Sequence, residues 1–249
     1  MTIEAVIFDL GGHADRVCRP LRRLAWRWKT PGLQAAYDYL EQQGGQLPEF
    51  AVFRDTGFAI LPGKWETAVS WRPKSAPRRF SWATSSTCCA ANGIQPTWLV
   101  TAADLYQTAL CSQAHPLAGA QETLAALKAA GYKLGLLSNT MFTGAAHIND
   151  LRRFGPDSYF DAPAFSADAA KWKPQPTPYW HVLGELGVDP ANAVFIGDAP
   201  EHDIVGAHAA GMRAVLIRAS QRFHLPDWLT PDATIENLLE LTAVLADWS

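Results

Sequence analysis

Two aspartates, a serine and a lysine stand where their chemistry could meet. Asp9 follows the apolar run Ala5-Val6-Ile7-Phe8. Ser138 ends Lys133-Leu134-Gly135-Leu136-Leu137, and Asp198 follows Ala193-Val194-Phe195-Ile196-Gly197. Lys173 lies between the last two, in Lys171-Trp172-Lys173-Pro174. Two carboxylates, a hydroxyl and an ammonium suit phosphoryl transfer. One carboxylate can attack phosphorus. A second can hold Mg²⁺, which takes hard oxygen ligands. The lysine and the hydroxyl can balance charge on the phosphoryl oxygens. Each feature alone is ordinary, since Asp-x-Gly is a common turn and Lys-Pro is usually a surface loop. All four in this order, at strand ends, form a strong signal.

The elements that must position them follow from the apolar runs. The four residues before Asp9 have no polar break, as in a strand buried on both faces of a parallel sheet. Gly11 and Gly12 free the backbone for a tight turn and for close approach of a ligand. Ligands bind outside the carboxyl ends of such strands. From Pro116 helices and strands alternate. The pattern predicts a helix over 117–130, a strand over 133–138, a helix near 143–153 and a short strand over 162–166. A helix over 177–186 follows, with Pro178 suited to its first turn. Then come a strand over 193–198, a helix over 204–210 closed by Gly211, a last strand over 213–217 and a last helix over 235–245. Such alternation means an α/β fold with a doubly wound parallel sheet. The strand of Asp9 belongs at its centre, with those of Ser138 and Asp198 beside it.

Residues 13 to about 113 read differently, as a mainly helical insertion. A helix is expected over 31–40, apolar at 33, 36, 37 and 40 and ended by Gly44-Gly45. Another is expected over 100–110, with Thr101 as N-cap. Residues 48–69 read neither way. Residues 13–29 hold six basic side chains against the single acid Asp15, and residues 71–90 hold Arg72, Lys74, Arg78 and Arg79 with no acid. Neither run has a usable period, so both are expected to bury little surface.

Composition narrows the partners. The 249 residues carry a net charge of −3, which gives the whole molecule no attraction to nucleic acid or anionic lipid. No apolar run approaches the roughly 18 residues of a membrane span. The start has no basic region ahead of an apolar one, so a cytoplasmic protein is expected. None of Cys18, Cys88, Cys89 and Cys111 has Cys-x-x-Cys spacing, which speaks against a zinc site and for reduced thiols.

Phe8-Asp9-Leu10-Gly11-Gly12, Leu136-Leu137-Ser138-Asn139-Thr140, Lys171-Trp172-Lys173-Pro174 and the run from Gly197 to Asp203 resemble the four motifs of the haloacid dehalogenase superfamily of hydrolases. The stretch from His115 to Thr140 is similar to the branch with a helical cap inserted after the first motif. The resemblance covers residues 3–12 and about 115–245. It implies a Rossmann-like core of residues 1–13 and 114–249, and a cap of residues 14–113 that chooses the substrate. It also implies a Mg²⁺-dependent phosphatase of a small phosphorylated metabolite. Asp9 would become an aspartyl-phosphate, with Ser138 and Lys173 as catalytic partners. The backbone of Asn139 and Gly12 would help to grip the phosphoryl group. Asp9, the Gly11 carbonyl and Asp198 would hold Mg²⁺, and Asp203 would support the metal site.

Two departures matter. Phosphatases of this family usually carry a second Asp two positions after the nucleophile, as general acid and base. Gly11 stands there and cannot move a proton, a function typically worth roughly 10²–10⁴ in rate. Family dehalogenases also lack that Asp, but they usually lack the Gly197-Asp198 pair as well. A 2-haloacid dehalogenase-like hydrolase and a catalytically impaired binding or regulatory protein therefore stay open. The second departure is His13, where the family usually has Thr or Val followed by Leu. A shifted reading frame accounts for it. Residues 13–19, back-translated with suitable codons and read one base later, give Thr-Leu-Ile-Glu-Tyr-Ala. Residues 82–90, read two bases later, give Gly-Asp-Leu-Leu-His-Val-Leu-Arg. On this account the basic and aromatic richness of 13–29 and 71–90 is an accident of frame.

Overall fold

The structure is a computed structural model that describes residues 2–10, 22–59, 92–113, 115–140, 142–155, 157–169, 172–218 and 223–248. Gly11, Gly12 and His13 lie outside the described residues, as do 14–21 and all of 71–90. The chain divides into two compact units, Met1–Gly12 with His115–Ser249, and His13–Ala114.

The first unit opens with β1 (Ala5–Phe8), every residue of which is buried. In the second unit, α1 (Arg22–Gln42) is followed by a helical stretch over 50–59 and by α2 (Pro96–Cys111). The expected stripe is the one that packs, since Leu33, Ala36, Tyr37 and Leu40 are all buried. Tyr37 anchors the 50–59 stretch, its ring 5.3 Å from those of Phe50 and Phe53 and its hydroxyl donating to the Pro48 carbonyl at 3.0 Å. Gly32 lets α1 approach α2, because an added Cβ would stand 2.8 Å from the Tyr106 ring. Two expectations are corrected here. Helix α1 runs nine residues further back than 31, to Arg22, into the basic run that showed no usable period. Helix α2 starts at Pro96 after Gln95, not after Thr101; proline fits the first turn because its missing N–H has no helical partner to lose.

The remaining elements belong to the first unit: α3 (Ala120–Ala129), β2 (Lys133–Ser138), α4 (Gly144–Phe154), β3 (Ala162–Phe165), α5 (Ser166–Ala169), α6 (Pro176–Leu186), β4 (Ala193–Gly197), α7 (Val205–Ala210), β5 (Arg213–Ile217), β6 (Ala233–Ile235) and α8 (Leu241–Asp247). They form one six-stranded sheet in the order β3-β2-β1-β4-β5-β6, and every pairing is parallel. The expected centre is correct, with β1 between β2 and β4 and Phe8 level with both Leu136 and Ile196. Successive side chains serve opposite faces. Ala5 and Ile7 join Tyr179, Val182 and Phe195 on one side, while Val6 and Phe8 join Leu124, Leu127 and Leu241 on the other. Burial on both faces is why these strands read as unbroken apolar runs.

The end of the chain needs correcting. Strand β5 is not the last, since Ala233–Ile235 adds a sixth, and the final helix begins at Leu241 instead of Ile235. Among the described residues no helix is long and apolar enough to cross a membrane.

Candidate active site

Three neighbouring strands deliver the acidic and hydroxyl groups to one edge. Asp9 follows β1, and its N–H extends the ladder to the Ile196 carbonyl at 2.8 Å. Ser138 ends β2 and is buried, its hydroxyl 3.5 Å from the Leu10 carbonyl. Asp198 follows β4 directly. A ligand oxygen from each of Asp9, Asp198 and Asp203 lies within 4.8 Å of the others.

Lys173 reaches into this cluster. Its ammonium is 2.5 Å from Asp9 Oδ1 and 2.7 Å from Asp203 Oδ1, and the side chain is only 2% exposed. Nζ also lies 5.1 Å from the centre of the Phe195 ring. Burial works against the charged form, yet the carboxylates of Asp203 and Asp9 outweigh it, and the Lys173 pKa is raised above its ordinary 10.5. The ammonium is therefore permanent at neutral pH.

Two further devices hold this lysine. The Asn139 side chain brackets its peptide, with Oδ1 accepting from the Lys173 N–H at 2.8 Å and Nδ2 donating to the Lys173 carbonyl at 2.9 Å. Asp203, fully buried, turns Oδ1 to Lys173 and accepts from the Ala199 N–H at 2.9 Å with Oδ2. Asp203 sits in a π-helical turn, Pro200–Ile204, and Gly197 leaves it room, since an added Cβ would fall on its carboxylate. Thr140 and Ser166 tie the loop after Ser138 to the end of β3: the Thr140 N–H donates to Ser166 Oγ at 2.7 Å, and Ser166 Oγ donates to the Thr140 carbonyl at 2.9 Å.

Of the residues singled out in the sequence, Asp9, Asp198, Asp203 and Lys173 come together, and Ser138 and Asn139 stand beside them. Gly11 and Gly12 lie outside the described residues. The sequence signals neither the side-chain role of Asn139, for which the family resemblance implies only a backbone contact, nor the part played by Ser166. Both act through partners at least 26 positions away in the chain, which no local pattern signals.

A family model described as haloacid dehalogenase-like hydrolase matches residues 90–217. A phosphoglycolate phosphatase of Haemophilus influenzae (strain 86-028NP) is 26% identical over 209 residues, which are 80% of this chain and 92% of that one. An N-acylneuraminate-9-phosphatase of Mus musculus is 38% identical over 89 residues, 35% of this chain and 36% of that one. Among solved structures, a 2-haloacid dehalogenase from Pseudomonas syringae pv. Tomato DC3000 superposes with a TM-score of 0.69 at 26% identity, covering 100% of both chains. A HAD phosphatase from Thermococcus onnurineus, at 23% identity and a TM-score of 0.61 over 98% of each chain, shares the fold. The family model spans more than half of the chain, and its fold and strand-end acids agree with it: the chain belongs to the haloacid dehalogenase-like hydrolase family.

Proposed function

We propose that this hydrolase is a Mg²⁺-dependent phosphatase of a small phosphorylated metabolite, working through an aspartyl-phosphate on Asp9. The observation that carries the reading is the Lys173 ammonium between Asp9 and Asp203, with Asp198 in the same cluster. The donor set suits Mg²⁺, being all hard carboxylate oxygen. Asp9 and Asp198 would hold the ion, with Asp203 supporting them from behind Lys173, and the bound ion would supply charge stabilisation for phosphoryl oxygens.

The chain's own groups would do the rest. The Asp9 carboxylate attacks phosphorus; an oxygen–phosphorus bond forms to Asp9 and the bond to the leaving oxygen breaks. Lys173 has three N–H donors, of which Asp9 and Asp203 engage two. The third serves a phosphoryl oxygen, and the Ser138 hydroxyl and the Asn139 N–H serve others. Water then attacks phosphorus, releasing phosphate and restoring the carboxylate. Gly11 offers no proton to the leaving oxygen, so the substrates best served are those whose leaving group needs none.

A second reading is a 2-haloacid dehalogenase-like hydrolase, favoured by the solved structure of that name. The test is turnover of an aryl phosphate and of a 2-haloacid, each with and without Mg²⁺. The phosphatase reading expects Mg²⁺-dependent release of phosphate that disappears in Asp9→Asn. Halide release without metal, and no phosphate release, would overturn it.

A further inference from the structure

Tyr179 is fully buried in α6, and the proposed reaction gives it no part. Its hydroxyl donates to the His202 carbonyl at 2.7 Å. Burial, with the charges of Asp203 and Asp9 behind it, pushes the phenol pKa well above its ordinary 10, so the group stays a donor. The ring meets Phe195 edge-on, centroids 4.9 Å apart at 66°. Phe195 is the same ring that lies beneath the Lys173 ammonium. On the other side Gly206 leaves space, since an added Cβ would land on the Tyr179 hydroxyl and ring.

The accepting carbonyl is well chosen. His202 precedes Asp203 in the π-helical turn, where the N–H groups of His202 and Asp203 both go to the Ala199 carbonyl, at 3.0 and 2.7 Å. The Ala199 N–H returns to Asp203 Oδ2 at 2.9 Å. A π turn is a rare, wide geometry that recurs at functional sites. Here a buried hydroxyl joins the Val205 N–H on the carbonyl next to the residue on which Lys173 depends.

We propose that Tyr179 is a positioning residue for phosphoryl transfer: through the His202 carbonyl, its hydroxyl holds the Pro200–Ile204 turn where Asp203 seats Lys173 beside Asp9. The proposal rests on the phosphatase reading of this site. Lys173 acts on charge that develops in the transition state, so a loosened turn lowers kcat and leaves KM nearly unchanged.

Tyr179→Phe keeps the ring and removes the donor. Two readouts are taken. In the metal-free protein, amide exchange at Ala199 is expected to rise about tenfold, the effect of one net hydrogen bond, while Ile7 and Phe195 keep their protection. With Mg²⁺ and an aryl phosphate, kcat is expected to fall by about the same factor at constant KM. Gly206→Ala keeps the hydroxyl but displaces it, so it should give the same two changes, and the double variant should do no more than the larger single one. Unchanged exchange at Ala199 overturns the proposal. So does a loss of protection spread evenly through β1 and β4, which would make Tyr179 a core side chain only. A wild type without phosphatase activity defeats the phosphatase reading, while a local exchange change at Ala199 would still support the brace.

Discussion

A lysine between two carboxylates is held by them and holds them in turn. With Lys173 charged, Asp203 can stay ionised in a fully buried place. The raised Lys173 pKa means that its contribution to stability is complete below about 10.5 and is lost only as pH rises through a still higher value. Lys173→Met should move that dependence down into the acid range. Burial already holds the Asp203 pKa above its ordinary 3.8 against the lowering effect of Lys173; without the lysine it rises further, and a carboxyl raised on folding contributes stability at low pH that is lost as pH climbs. The deficit relative to wild type should grow from about pH 4 to neutrality, reaching about 3–5 kcal/mol, the usual cost of breaking a buried pair. Urea denaturation at a series of pH values measures this, and a deficit that does not change with pH would contradict it. Gly11→Asp belongs to the same scale. If a missing acid limits turnover, it should speed alkyl phosphates far more than aryl ones, because only the alkoxide needs a proton to leave. Equal acceleration of both would mean that position 11 does no acid–base work. Asp9, Ser138, Lys173, Asp198 and Asp203 were legible because each sits at a strand end or in a compact motif. The Asn139 bracket and the Tyr179 brace were not, because each is defined by a partner remote in sequence.

Among the elements, the parallel sheet was the legible part. Strands buried on both faces leave a signal that needs no partner to be read, and β1, β2, β3, β4 and β5 lie where the runs placed them. Strand β6 was missed because three residues, only the last of them fully buried, carry too little pattern. The start of α1 was missed because its basic side chains mask any period. Packing distances between elements were equally hidden. Gly135 sits in β2, where an added Cβ would stand 2.7 Å from Val182 of α6 and 3.0 Å from Ile7 of β1. Gly135→Ala is therefore expected to overpack this layer and cost about 1–3 kcal/mol in denaturant unfolding. A neutral result would show that α6 can shift away from the sheet.

For the whole molecule, the phosphatase relative from Haemophilus influenzae matches most of this chain, while the family model begins only at residue 90. The basic side chains of both runs precede that point. Resequencing the gene across codons 12–30 and 70–91 should reveal the frame that reads Thr-Leu-Ile-Glu-Tyr-Ala after Gly12; an unchanged read would make the runs genuine. Neither result alters the chemistry assigned to the strand ends, which turns on one carboxylate. The most direct test is mass spectrometry of the protein, acid-quenched during turnover of an aryl phosphate with Mg²⁺. With no acid–base side chain at Gly11, hydrolysis of the covalent intermediate should be slow enough for it to accumulate. The expected result is one phosphoryl group on the peptide that contains Asp9, and none in Asp9→Asn. Turnover with no adduct on that peptide, or turnover that persists in Asp9→Asn, would contradict the account.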